Sequence, residues 1–413
     1  MTSNLKNVPP NWQKVRFDEI ATIVTDRIEK PIESGLKDYI GLEHLDTDCI
    51  RIKRFGSTED VDATKFLCKK GDIIFGKRRA YLRKVAVSDR DAVVSAHSMV
   101  LRPTGDKIYP DFLPCFMQSS IFWKTAHSIS EGSMSPTIKW KNLAAQEFWL
   151  PSIEEQKKIS GLLWSIEDNI QKTEKLIETT ETLKQGLLNE LLTKGIGHTR
   201  FKDSELGRIP EEWEVVRLGN ISNVRRGASP RPINDSRYFD SEGTGWIRIA
   251  DVTSTYKYIN KTSQYLSELG VSKSVPVHRG DLIMSICATI GKPVIVDMDA
   301  CIHDGFVLFS DIKKGIINDF LFYVLLKSEK EFENKRQVGT QGNLNTDIVK
   351  KTKIALPSSL EEQKKIVSIF ENIDSIIETY HLSLSNLGHL KKKILNEMLS
   401  GNLMLKCIPV IIS

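Results

Sequence analysis

The segment GKRRAYLRK sets Lys77, Arg78, Arg79, Arg83 and Lys84 around Tyr81, and NVRRGASPRP sets Arg225, Arg226 and Arg231 on a loop rich in glycine and proline. Cations at this density attract phosphate, and a forked guanidinium or a side-chain amide can pair with base edges in a groove. The plainer alternative for both segments is a solvated turn between strands. Two later loops, SEGSMSPTI and GTQGNLNT, add Ser133, Gln341 and Asn343. Glutamine and asparagine can bond adenine bidentately, or such loops can simply cap the element that follows.

Patterns that would carry catalysis are not found. ATIGKP, with Gly291 and Lys292, lacks the first glycine and the hydroxyl residue of a phosphate-binding loop, and neither HExxH nor GxSxG occurs. VPPNW at Val8 is not the Asn- or Asp-led Pro-Pro tetrapeptide that amino-methyltransferases use. Paired carboxylates lie at helix starts and in surface runs, where capping and solvation account for them. His97 in SAHSMV and His303 in CIHDGF are the only histidines that match between the halves of the chain. They read as hydrogen-bonded core imidazoles at a strand, with contact to a nucleic acid or general-base chemistry as the alternatives. The six cysteines are scattered, without CxxC or zinc spacing, and read as free thiols.

The elements that must position these residues come as a tandem repeat. WQKVRF from Trp12 matches WEVVRL from Trp213, YIGLEHL from Tyr39 matches WIRIADV from Trp246, and KKGDIIF at Asp72 matches HRGDLIM at Asp281. DFL at Asp111 matches DFL at Asp319, and LPSIEEQKKI from Leu150 matches LPSSLEEQKKI from Leu356, always in the same order. Runs such as GDIIFG, AVVSAHSMVLRP, GDLIMSICATIG and KPVIVDMDACIHDGFVLF predict strands. DFLPCFMQSSIFWKTAH and DFLFYVLLKSEKEFENK predict helices. The fold class is α+β, one mixed module used twice.

Each LPS word starts a long helix. Ser152 precedes Glu155 and Ser359 precedes Glu362 at capping-box spacing, with acidic residues where the helix dipole favours them. From Ile159 a heptad seam runs through Leu163, Ile166, Ile170, Thr173, Ile177, Thr180, Lys184, Leu187 and Leu191. Its copy runs through Ile366, Phe370, Ile373, Ile377, Tyr380, Leu384, Leu387, Lys391, Ile394 and Met398. Each seam covers about five heptads, or roughly 60 Å of helix. Two matched stripes in one chain predict an antiparallel coiled coil that separates the modules and relates them by a pseudo-twofold axis. Lys184 and Lys391 fall at the same seam position, either as a register key or as stems snorkelling near a frayed end. Leu162, Leu176, Leu183 and Leu188 lie off the seam and suggest a face for another subunit.

Composition bounds the rest. The chain has 413 residues, 40% hydrophobic and 27% charged, with a net charge of +5. That length and composition predict two or more globular units. Lys65 to Arg90 concentrates nine lysines and arginines against Asp72 and Asp89. The start, MTSNLKNVPPNW, has no apolar leader and no run is long enough to span a bilayer, which predicts a soluble cytoplasmic protein without a membrane partner.

The pattern of a variable module, LPSIEEQKKISGLL, a helix ending in LLNELLTKGIGHTRFKDSELGRIPEEWEVVRL, a second module and LPSSLEEQKKI resembles the specificity subunit of type I restriction-modification enzymes over essentially the whole chain. The resemblance implies two target recognition domains, 1–150 and 201–355. It makes 151–200 and 356–413 conserved spacer helices with a linker and a tail. It implies a bipartite, asymmetric duplex DNA target with a nonspecific gap, each domain reading one half. Two modification subunits and the restriction subunits would dock on the helices. No cofactor is expected on this chain, S-adenosylmethionine, ATP and Mg²⁺ being expected on those partners, and the chain itself would not be an enzyme. The tail GNLMLKCIPVIIS departs from the basic ending expected, and its role is open. A self-contained methyltransferase or nuclease and a protein-only coiled-coil scaffold are the competing readings.

Overall fold

A computed structural model describes residues 8–335 and 344–399. The chain divides into two units, Met1–Leu176 with Tyr380–Ser413, and Ile177–Thr379, so both long helices pass from one unit to the other. The units follow neither the module boundaries nor the helix boundaries expected from sequence. Each takes one globular module together with half of each helix.

In the first unit one sheet orders its strands Ala21–Val24, Met99–Pro103, Ile73–Phe75 and Val85–Val87. A second sheet orders Arg27–Ile28, Lys65–Cys68, Ala92–Val94, Asp38–Ile40 and Gly56–Ser57. The second unit repeats both. Asn223–Arg226, Phe306–Ser310, Leu282–Ser285, Pro293–Val296 and Tyr258–Ile259 form one sheet. Val275–Val277, Ala300–Ile302, Phe239–Ile247 and Gln264–Leu266 form the other. The GD word explains itself as a turn. Gly71 and Gly280 take φ of 92° and 93°, a region that favours glycine, and the next carboxylate accepts the amide three residues back, Lys69 N or His278 N, at 2.8 Å. The two DFL segments each break into a pair of helices, Phe112–Met117 with Ser120–Ser128 and Asn318–Lys327 with Glu329–Asn334. The first break is where Ser119 caps the following turn by accepting Phe122 N.

The long helices span Ile153–Lys194 and Leu360–Leu399. Ser152 and Glu155 close a reciprocal capping box, Ser152 N donating to Glu155 Oε2 and Glu155 N to Ser152 Oγ. The second copy closes only half of one. Ser359 Oγ still accepts Glu362 N, but the Glu362 carboxylate instead accepts Ile196 N, His198 Nε2 and Trp213 Nε1, tying down the linker after the first helix. The next letter of the repeated word matters more than the cap. Gln156 and Gln363 are fully buried. Gln156 accepts Tyr109 N and donates to the Lys107 and Pro151 carbonyls, while Gln363 accepts Ile317 N and donates to the Gly315 and Pro357 carbonyls. Each amide thereby satisfies backbone groups that burial would otherwise leave unpaired.

Ile159, Leu163 and Ile166 share a core with Ile394 and Leu395 in the first unit, with Ile170 and Leu387 partly buried against it. Ile366, Phe370 and Ile373 share one with Leu188 and Leu192 in the second, with Ile377 partly buried beside them. Early first helix thus meets late second helix, and late meets early, so the two run antiparallel. Ile177 is buried and Leu384 half-buried. The Met398 side chain lies outside the described residues. One stretch departs from the heptad pattern: beyond Lys184 the deepest residues are Leu188 and Leu192, 1% and 4% exposed, while Leu187 and Leu191 are half-buried. An unstrained helix drifts about 20° per heptad from a strict 3.5 repeat, which over five heptads turns the neighbouring row inward. Leu188 therefore belongs to the core, and Leu162 packs partly against the other, whereas Leu176 and Leu183 stay exposed.

Neither seam lysine snorkels. Lys184 pairs with Asp374 and the Tyr256 hydroxyl, and Asp374 also accepts Tyr323 Oη at 2.7 Å. Lys391 donates to Glu167 at 2.8 Å and to the Asp48 carbonyl at 3.0 Å. The acids are equivalent, as are the lysines, so each lysine takes its acid from the helix of the other repeat. Burial pulls the Lys184 ammonium below the ordinary lysine range although Asp374 opposes the shift.

Candidate nucleic-acid interface

In the first unit the Lys77–Arg79 turn packs on the 131–137 loop. Ile138 N donates to Lys77 O and Arg79 N to Pro136 O, at 2.9 and 2.8 Å. Arg78 donates from Nε to Ser135 Oγ at 2.8 Å and lies 3.3 Å from His97 Nε2 through Nη1. The fold thus gathers Arg78, Arg79, the exposed Ser133 and His97, with Tyr81 nearby in sequence and 56% exposed. Lys77 is half-buried over the Phe66 ring, which Arg27 also faces at 5.1 Å. Burial and then Arg78 hold the His97 imidazole below its usual range.

Arg83 and Lys84 do not join this surface. Arg83 reaches the Gln118 carbonyl at 3.2 Å and Asp48 at 3.0 Å, and Lys84 reaches the Leu42 carbonyl at 2.6 Å. The left-handed turn at Arg83, φ 50°, sends the chain back into the strand Val85–Val87 and takes these two cations with it. Arg27 escaped the sequence reading because only tertiary packing brings it to Phe66.

In the second unit the arginines of the RRGASPRP loop converge on Asp304. Arg226 Nε donates to its carbonyl, Arg231 Nη2 to Oδ2 and Ser229 Oγ to Oδ1, each at 2.8 Å. Arg225 is exposed on the same strand. Glycine at 227 is required, since a Cβ there would stand 2.2 Å from the His303 carbonyl oxygen. His303 Nδ1 accepts Gly305 N at 2.9 Å, so its proton sits on Nε2, 3.1 Å from Asp304 Oδ1. Burial lowers the His303 pKa; Asp304 opposes this, and Arg248, Arg231 and Arg226 add to it. Gln341 and Asn343 lie outside the described residues.

The two histidines are not equivalent. Ala92–Val94 pairs with Asp38–Ile40 as Ala300–Ile302 pairs with the end of Phe239–Ile247, which sets Ser95 against His303. Both cap the same turn, Ser95 Oγ accepting His97 N and His303 Nδ1 accepting Gly305 N. The matching letters are two residues out of register, and His97 is exposed rather than a core imidazole. Among the described residues no group of three or more His, Cys, Asp or Glu could hold a metal ion, and no helix is long and apolar enough to cross a membrane.

Two copies of one α+β module, each ending in a long helix, are also what known sequences show. The Type I restriction modification DNA specificity domain matches residues 9–182 and again 210–386, so the chain belongs to that family. It is similar to two specificity subunits of Methanocaldococcus jannaschii type I restriction enzymes. For MjaX it is 28% identical, covering 98% of this chain and 96% of the relative. For MjaVIII it is 27% identical, covering 97% and 94%. Among solved structures, an S subunit from M. genitalium superposes with a TM-score of 0.60 at 15% identity over 96% of this chain and 98% of that one. A chain from a study of assembly and conformational transition of the type I R-M system gives 0.62 at 20% identity, over 96% and 100%. These superpositions establish a shared fold.

Proposed function

We propose that the chain is the DNA-reading subunit of a type I restriction-modification complex and that its two modules read the two unlike halves of a split target. The observation that carries this is a common backbone frame, used twice, whose arginine-bearing loops differ between the copies. Arg78, Arg79, Lys77 and Tyr81 with Ser133 serve the first half-site, and Arg225, Arg226 and Arg231 the second, chiefly at phosphates. Gln341 and Asn343 belong to the same proposal. Arg83 and Lys84 are withdrawn from it by their internal bonds. Modules 1–150 and 201–355 act as recognition domains, and the helical segments 151–200 and 356–413 act as spacers that fix the gap and dock two modification subunits and the restriction subunits. S-adenosylmethionine, ATP and Mg²⁺ belong to those partners, in the cytoplasm. Specificity subunits carry no catalytic centre, in keeping with the missing motifs.

Co-expression with the cognate modification subunit, followed by genome-wide mapping of methylated adenine, gives a split motif on this reading. A map without one refutes it. Adding or removing one heptad in both helices shifts the gap between the halves, and an unchanged gap removes the spacer role.

A further inference from the structure

The three arginines around His303 are not alike. Arg226 gives one N–H to the Asp304 carbonyl and Arg231 one to its carboxylate, the second against a full negative charge. Arg248 instead donates Nη1 to the neutral amide oxygen of Gln264 at 2.9 Å, and its guanidinium lies 5.1 Å from the centre of the Trp246 ring. Its backbone is pinned as well, Arg248 N donating to Asp251 Oδ2 at 2.9 Å while Ser263 N donates to Oδ1 of the same carboxylate at 3.0 Å. Trp246 is fully buried and packed between Phe239 and His303, so the platform beneath the guanidinium is rigid. A guanidinium has five N–H donors. Among the described residues the bond to Gln264 is the one hydrogen bond this side chain donates, and no carboxylate neutralises it.

The first unit keeps the frame and changes the side chains. Strand pairing sets Tyr39 opposite Gly56 as it sets Trp246 opposite Gln264. Gly41 N donates to His44 Nδ1 at 2.9 Å, as Arg248 N does to Asp251. Arg248 and Gln264 thus replace Gly41 and Gly56 on the same turn and the same edge strand. In the first unit that space is taken by other groups: a Cβ on Gly41 would stand 2.1 Å from the Glu43 carboxylate, and one on Gly56 2.8 Å from the His44 ring. A pair of side chains that changes while its backbone does not is what two readers of different sequences require.

We propose that Arg248, buttressed by Gln264 and Trp246, reads a guanine in the half-site of the second unit, its fork donating to O6 and N7. This rests on the DNA-reading function proposed above and names a residue for it. A phosphate contact needs charge and tolerates a mobile side chain, whereas base readout needs a fork held in one orientation. Stacking, the amide bond and the pinned backbone supply that orientation before DNA arrives.

The test is adenine-methylation mapping of the complex with its modification subunit, carrying wild-type chain, Arg248→Ala, Arg248→Lys or Gln264→Ala. Arg248→Ala is expected to relax one position of one half-site, a G·C pair in the wild-type motif, lowering preference there on the order of 10- to 100-fold and leaving the other half unchanged. Arg248→Lys, which keeps the charge without the fork, fails to restore it, and Gln264→Ala relaxes the same position less. Methylation that falls evenly with the motif intact and is rescued by lysine makes Arg248 a phosphate contact and overturns the proposal, as does a motif that none of the variants alters. Should Arg248→Ala fail to fold, the lysine and Gln264 variants decide alone. A wild-type map with no split motif refutes the underlying function, and is told apart because it needs no variant.

Discussion

The two units agree at the glutamine clamps and the seam ion pairs, and differ at side chains that face outward from a loop. Gln156 and Gln363 bond the same three backbone positions, and the Lys391–Glu167 pair mirrors Lys184–Asp374. By contrast, Lys77–Arg79 in the first unit has Ile286–Ala288 as its counterpart, with Arg79 and Ala288 both left-handed at φ 57° and 55°. The first unit concentrates free charge on that turn. The second places its arginines on the preceding loop and on the turn that follows an inner strand of the other sheet. One frame therefore supports two surfaces because the positions that hold the frame together are not those that face outward.

The largest effect expected on the frame comes from breaking a buried pair. Asp374→Ala or Glu167→Ala strands a lysine in the seam and should lower stability by about 3–5 kcal/mol, read by denaturant unfolding, whereas the apolar pair Lys184→Met with Asp374→Leu recovers only part of it, because the Tyr323 and Tyr256 hydroxyls lose their carboxylate. Equal losses in the two units sharpen the comparison, and a loss in only one breaks it. Gln156→Leu and Gln363→Leu each leave an amide and two carbonyls unpaired. About 1–3 kcal/mol is expected for each, with faster hydrogen exchange at Tyr109 or Ile317 respectively. On the surfaces, Arg78→Glu with Arg79→Glu should weaken duplex binding by the assembled complex and flatten its salt dependence by about one to two units of slope, while Arg83→Gln leaves the slope alone and lowers the melting temperature. A normal slope in the first variant removes that turn from the interface.

The smallest effect concerns pH and is read at His303. Burial depresses the His303 pKa, so below an unfolded value of about 6.5 the unfolded chain binds more protons than the folded one. The contribution to stability is complete above that value and is lost as pH falls through the folded pKa. His303→Asn should therefore show a smaller drop in melting temperature between neutral and mildly acid pH than the wild type. An identical drop in both proteins would show that the imidazole titrates normally.

Sequence periodicity was enough to place both long helices, their starts and several inner strands of each module, because capping residues, heptads and β-rich runs are local signals. The Gln156 and Gln363 clamps were not legible. Their partners lie 46 to 49 residues away apart from the adjoining Pro151 and Pro357, and a glutamine in a charged helix start looks solvated. Matching letters also misled where hydrogen-bond register decides, as with His97 and His303. In the candidate site, charge density named Arg78, Arg79, Arg225, Arg226 and Arg231 as candidates. It could not separate them from Arg83 and Lys84, whose internal bonds depend on where a turn sends the chain. Arg248 and Gln264, 16 residues apart, form a pair only through strand pairing and carry no local excess of charge.

The split of each helix between units bears on synthesis. The second unit, Ile177–Thr379, is one unbroken stretch, whereas the first needs Tyr380 onward to supply Lys391, Ile394 and Leu395 to its core. On the ribosome the module made first must therefore wait, with Glu167 and its apolar seam uncovered, while the module made second can close. The order of completion is the reverse of the order of translation, and the earlier module is the one exposed longest to chaperones and proteases.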